Sequence, residues 1–167
     1  MRGRPLVQQT VVTCMEVINR DREGDKELSS LIIGTEARQV LFLDPGCTAI
    51  EASFTLPAVP THIAVHGLLN VEYRVNVACR DGAVYAIKER QLMSTKIECE
   101  SLPCGIVRTE PELYIGTLDC KLHSFHIKGK KNWMLTMPAA ITAMTKAVMQ
   151  RYAPPETANN VTRPASC

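Results

Sequence analysis

Aromatic residues are scarce in this sequence: one Trp, three Phe and four Tyr among 167 residues. Proteins that grip single-stranded nucleic acid stack bases on several exposed rings, so this scarcity argues against a nucleic-acid partner. No apolar run reaches the 18 or more residues of a membrane-spanning helix. The start, Met1-Arg2-Gly3-Arg4-Pro5, leads straight into a strand pattern with no signal-peptide order of charged, apolar and small residues. Helical periodicity does not persist beyond about two turns anywhere. Neither a Gly-x-Ser-x-Gly nucleophile elbow nor a Gly-rich phosphate loop is present. The seven cysteines, Cys14, Cys47, Cys79, Cys99, Cys104, Cys120 and Cys167, are odd in number and scattered, several inside apolar runs. There a thiol acts as a small hydrophobe, and the expected compartment is the reducing cytosol. The sequon Asn160-Val161-Thr162 is then a chance match.

What the chain has is short β-rich runs separated by turn signals, from about residue 10 to residue 148. Thr10–Val17, Ser30–Thr35, Val40–Asp44, Tyr73–Cys79, Val84–Lys88 and Leu113–Thr117 are rich in Val, Ile, Leu, Thr, Tyr and Phe. The runs also repeat. Ser30–Thr35 followed by Val40–Asp44 returns as Val75–Cys79 with Val84–Lys88, and again as Leu113–Thr117 with Leu122–His126. In each copy the second run opens five residues after Thr35, Cys79 or Thr117, and a small residue, Gly34, Ala78 or Gly116, stands just before that position. Outer runs close on Pro57, Pro103 and Pro138, where the missing amide stops a ladder. Hairpin turns are expected at Arg80-Asp81-Gly82 and at Lys128-Gly129-Lys130-Lys131, with Trp133 after the second as a blade-packing anchor.

Counting from Thr35, the spacing is 44 and then 38 residues. Four strands at that period is the arithmetic of a β-propeller blade. The expected fold is therefore all-β: three four-stranded blades, about 10–57, 61–103 and 104–138, plus the first strand of a fourth from 139. A closed ring needs roughly four to eight blades, so these are expected to be part of a larger, seven-bladed ring. Residues 1–9 read as a lead-in. Residues 149–167, polar and Pro-rich, read as a flexible tail or a truncated insertion. The charged stretch Asp21–Glu27 reads as a solvated loop.

The search for chemistry comes back empty. His123 and His126 are three apart on a strand and face opposite sides. His62 and His66 share a face but stand about 13 Å apart at roughly 3.3 Å per residue, too far to ligate one zinc ion. Cys99 and Cys104 flank a turn without a second pair at zinc-knuckle spacing. No catalytic, metal or cofactor residue is assigned. Gly129–Trp133 also recurs in blades of quinone-dependent dehydrogenases, which makes a quinoprotein-type enzyme the rival reading; those enzymes need stacking aromatics that one Trp does not supply. Charge is uneven: from Lys121 onwards seven Lys or Arg face only Glu156, a balance of +6, against +2 for the whole chain, so the first 120 residues carry about −4. Lys128, Lys130 and Lys131 are the candidate partner surface. A solvated turn is the first reading, an acidic protein or phospholipid surface the second, and RNA a distant third.

An ordered series of short stretches carries a resemblance. It includes Gln9–Thr13, Ile33–Glu36, Leu43–Pro45, Leu56–Pro60, Val71–Arg74, Ala78–Gly82, His126–Trp133 and Met137–Ile141. Over roughly residues 8–145, and not over Met1–Val7, the chain resembles the middle of the N-terminal β-propeller of the Bardet–Biedl syndrome 1 family, whose members are BBSome subunits. The resemblance implies a non-enzymatic scaffold without cofactor, partnered by other BBSome subunits, a GTP-bound Arf-like small GTPase and ciliary membrane-protein cargo. Membrane association would be indirect, and the locations implied are cytoplasm, cilium, basal body and peripheral ciliary membrane. The family's GTPase contacts involve blades near the ring closure, whereas this chain matches central blades, so no contact residue is carried over.

Overall fold

The computed structural model of the protein describes residues 4–5, 10–21 and 28–147. Most of the expected charged loop, and the whole of 149–167, lie outside the described residues. Described secondary structure is entirely β, in three sheets of antiparallel neighbours. The first holds β1 (Arg4–Pro5), β2 (Val12–Asn19), β3 (Ser29–Thr35), β4 (Gln39–Leu43) and β5 (Ala49–Thr55), in the order β1-β5-β4-β3-β2. The second runs β6 (Pro60–Gly67), β7 (Tyr73–Cys79), β8 (Ala83–Lys88) and β9 (Gln91–Glu98). The third runs β10 (Pro103–Arg108), β11 (Glu112–Thr117), β12 (Lys121–His126) and β13 (Lys131–Thr136). The first strand of each four-stranded meander, β2, β6 or β10, lies beside its counterpart in the next sheet. The three sheets are thus blades of an open, partial propeller with their first strands innermost.

The apolar runs explain this layout. The middle strands are buried on both faces: Val75, Val77, Cys79 and Ile87 on one side of the second blade, Ala78 and Val84 on the other. One apolar cluster joins the facing sides of the first two blades, with Phe42 beside Phe54 and Tyr73. A second joins the next pair through Val84, Ile97, Leu113, Ile115 and Phe125. The outer strands are less buried, and β13, with no completed layer beside it among the described residues, is exposed throughout. The hairpins turn where glycine permits it: Gly82 and Gly129 take φ of +81° and +89°, in the left-handed region.

Gly34 and Gly116 occupy equivalent places in β3 and β11, each facing the next blade. A Cβ on Gly34 would lie 2.5 Å from the Cys14 sulfur and 2.8 Å from the Pro60 ring. On Gly116 it would lie 2.7 Å from the Met144 sulfur and 3.2 Å from Ile141 Cδ1. Gly34 thus abuts a rigid ring at the start of a paired strand, whereas Gly116 abuts flexible tips on an unpaired segment. Gly34→Ala is therefore expected to cost about 1–3 kcal/mol through overpacking, and Gly116→Ala clearly less. Urea denaturation of the two variants checks this, and equal losses would contradict it.

Three sequence expectations change. The lead-in 1–9 contains a strand: Arg4 pairs opposite Ile50 and Pro5 opposite Ala49, on the outer edge of the first sheet where a proline is tolerated. Pro57 and Pro138 follow β5 and β13, but Pro103 does not close an outer strand. It opens β10, opposite Thr117, as Pro60 opens β6 opposite Cys79. The outer strand of the second blade is Gln91–Glu98 rather than the Glu100–Pro103 stretch. Finally, residues 139–147 form no ladder. Ile141 and Met144 still rest on the third blade at the place where Pro60 meets Gly34, the seat of a next innermost strand.

Candidate functional site

With the strands in place, the polar side chains fall into three groups. The first is the basic turn between β12 and β13, where Lys128, Lys130 and Lys131 are exposed. Backbone bonds shape it: the His126 amide donates to the Lys130 carbonyl and the Gly129 amide to the His126 carbonyl, both at 2.7 Å. Gly129 itself lies against β9 of the preceding blade; a Cβ there would sit 3.8 Å from Thr95 Cγ2. The turn therefore overhangs the seam between the second and third blades.

The second group crosses that seam below the turn. Arg108, at the end of β10, has a side chain only 2% exposed. Its Nη1 donates to Asn76 Oδ1 on β7 at 2.7 Å, and its Nη2 to Glu110 Oε1 at 2.8 Å. Glu110 also stands 3.3 Å from Nδ1 of His66, at the end of β6. The Arg108 hydrogen bond comes first among the causes that hold the Glu110 carboxyl below the ordinary value of 4.5, with the charges of Arg108, His66 and Arg74 adding to it. Arg108 is not among the residues the sequence singles out, since one cation closing an apolar run forms no motif. A signal was available: ladder register makes Arg108, opposite Leu113, the equivalent of Val65 and Val17. A cation where two repeats carry valine needs a partner.

The third group lines a cleft of about 460 Å³ along the innermost strands, where Glu16, Asn19, His66, Arg108 and Lys146 supply polar groups. Lys146 reaches it from the unpaired segment after the third blade, as the neighbouring strand of a propeller channel would. Other hydroxyls and carboxylates are spent on the hairpins. Tyr85 donates to Asp81 at 2.7 Å, and burial together with that carboxylate pushes its phenol up to about 12. Burial likewise pushes the Cys79 thiol up to about 12, so it stays a protonated core group. The described cysteines are all free.

Trp133 is 43% exposed and packs within its own blade on Tyr114, with ring centroids 5.9 Å apart. Register places Tyr114, Ser124 and Trp133 in one row on the side of the third blade that faces residues 141–147, so no completed layer covers the indole. Gly34, Gly116, Gly82 and Gly129 sit at the blade contacts and turns described above. None of the sequence-selected residues belongs to the Arg108 group, and only the basic turn comes near it.

A family model described as ciliary BBSome complex subunit 1 matches residues 1–88. The chain belongs to this family. The match reaches the first residue, further than the resemblance read from the sequence, in keeping with β1 being part of the first blade. BBSome complex member BBS1 from Mus musculus is 37% identical over 145 residues, which is 86% of this chain and 24% of the relative. The Homo sapiens protein gives the same figures. The chain thus spans about a quarter of the length of these curated relatives. In a crystal structure of BBS1N in complex with ARL6DN, soaked with lead, the similar region is 35% identical with a TM-score of 0.76, covering 86% of this chain and 44% of that one. A mercury-soaked crystal of the same complex gives 32% identity and a TM-score of 0.77, covering 90% and 48%. Saccharomyces cerevisiae Sqt1, at 9% identity and a TM-score of 0.63, shares the fold alone.

Proposed function

We propose that this chain supplies three blades of a larger BBSome subunit 1 propeller, a non-enzymatic adaptor that docks a GTP-bound Arf-like small GTPase and is thereby recruited to membranes. The observation that carries this reading is the likeness over 86% of the chain to a BBS1 propeller segment crystallised with ARL6DN, at 35% identity. A rigid arc whose hairpins project from both rims is suited to binding several proteins at once. In that role it works with other BBSome subunits on ciliary membrane-protein cargo, in the cytoplasm and at the basal body and peripheral ciliary membrane. Membrane association is through its partners.

The test is a chimaera in which residues 10–147 replace the matching stretch of the Mus musculus BBS1 propeller. The folded chimaera is expected to retain GTP-loaded ARL6 and to release the GDP-loaded form. A chimaera that folds, judged by a cooperative melting transition, but shows no nucleotide-dependent retention would overturn the proposal.

A further inference from the structure

The seam between the second and third blades opens outwards into a groove of about 340 Å³, bounded by β8 and β9 on one side and the β12–β13 turn on the other. Its floor is apolar, formed by Ala86, Met93 and Ile127 over the buried Val84 and Ile97. Four cations line it, Arg74, Lys88, Arg108 and Lys128, and no lining residue is acidic. Arg108 is the deepest of these, and its Nε has no hydrogen-bond partner among the described residues. Arg74 and Lys88 meet Glu72 at 3.5 and 3.6 Å, and Lys88 also meets Glu89 at 3.5 Å, but all these groups are more than a third exposed, and such surface pairs exchange readily for another carboxylate. Lys128 has no ion-pair partner among the described residues.

A second observation concerns the backbone. β9 is bonded only to β8, so its outer edge is unpaired, whereas the equivalent edge of the first blade, on β5, carries β1. An unpaired edge is a template for an added strand. In a strand added there, every second side chain would face the groove. Those side chains would meet apolar floor and cationic wall in turn.

We propose that this groove docks an extended segment of a partner protein in which apolar and acidic residues alternate at every second position. The apolar side chains rest on Met93 and its neighbours, and the carboxylates meet Lys128 on the overhanging turn and Lys88. This site goes beyond the GTPase docking proposed above and does not depend on it. A narrow groove between two blades suits a polypeptide better than a flat anionic lipid surface.

The test uses the 167-residue chain and a fluorescein-labelled, capped octapeptide, Thr-Leu-Thr-Asp-Thr-Leu-Thr-Asp, with a counterpart carrying Lys for Asp. Anisotropy titration is expected to show the Asp peptide binding at least about tenfold more tightly than the Lys peptide, as like charges repel. Lys88→Glu with Lys128→Glu is expected to weaken the Asp peptide about tenfold or more while leaving the melting temperature in place, since both side chains reach solvent. Met93→Asp, placed on the apolar floor, is expected to weaken it as well. Equal binding of the two peptides, absence of saturable binding at millimolar peptide, or a charge-reversal effect seen only with phosphatidylserine vesicles would each overturn the proposal.

Discussion

Phe42→Ala is expected to destabilise the protein by about 3–5 kcal/mol, the usual cost of emptying an aromatic site in a packed core. Phe42 is 1% exposed. Its ring lies 5.5 Å from Phe54 on its own blade and 5.7 Å from Tyr73 on the next, so one truncation removes contacts from both. Phe42→Leu keeps most of the volume and is expected to cost less than half as much. Urea unfolding of the two variants measures the difference. A loss below about 1 kcal/mol for the alanine variant would mean that the first two blades are not joined through this cluster.

Arg108→Met is expected to cost about 2–4 kcal/mol, because it keeps the length of the side chain but leaves Asn76 Oδ1 buried without its donor. The figure sits below that for a wholly buried pair because Glu110 is 43% exposed and water can take over its charge. Adding Asn76→Leu to Arg108→Met removes the orphaned amide and is expected to recover a good part of the loss, which a double-mutant cycle reads directly. Glu110 supplies a pH signature. Its carboxyl is held below 4.5 in the folded state, so its contribution is present above the unfolded value and is lost as pH falls through the folded one. Wild type is therefore expected to lose its advantage over Glu110→Gln as pH is lowered from about 5 towards 3. A stability difference that stays constant across that range would sink this account.

The strands that could be read in the sequence are those with apolar residues on both faces. Tyr73–Cys79 was bounded as β7 is, and Ser30–Thr35, Val84–Lys88 and Leu113–Thr117 each fell within a residue of the observed strand. The outer strands were poorly legible for the same physical reason. Every residue of β9 except Ile97 is exposed, so it carries no apolar alternation, whereas the later Leu102-Pro103 carries the stronger local stop signal. The exposure of Trp133 is not legible in the sequence, because it depends on a facing layer that the described residues do not complete. The candidate site was legible only at its rim. Lys128 is visible as part of a charged turn, but its meeting with Lys88 and Arg74 depends on how two blades stack, and pairings 40 or more residues apart leave no trace in local pattern. Arg108 was within reach, since a lone cation in a repeated valine position is a local anomaly.

Ile141 and Met144 rest against Gly105 and Gly116 with no ladder partner among the described residues. The third blade therefore presents, already shaped by two glycines, the bed on which the innermost strand of a successor would lie.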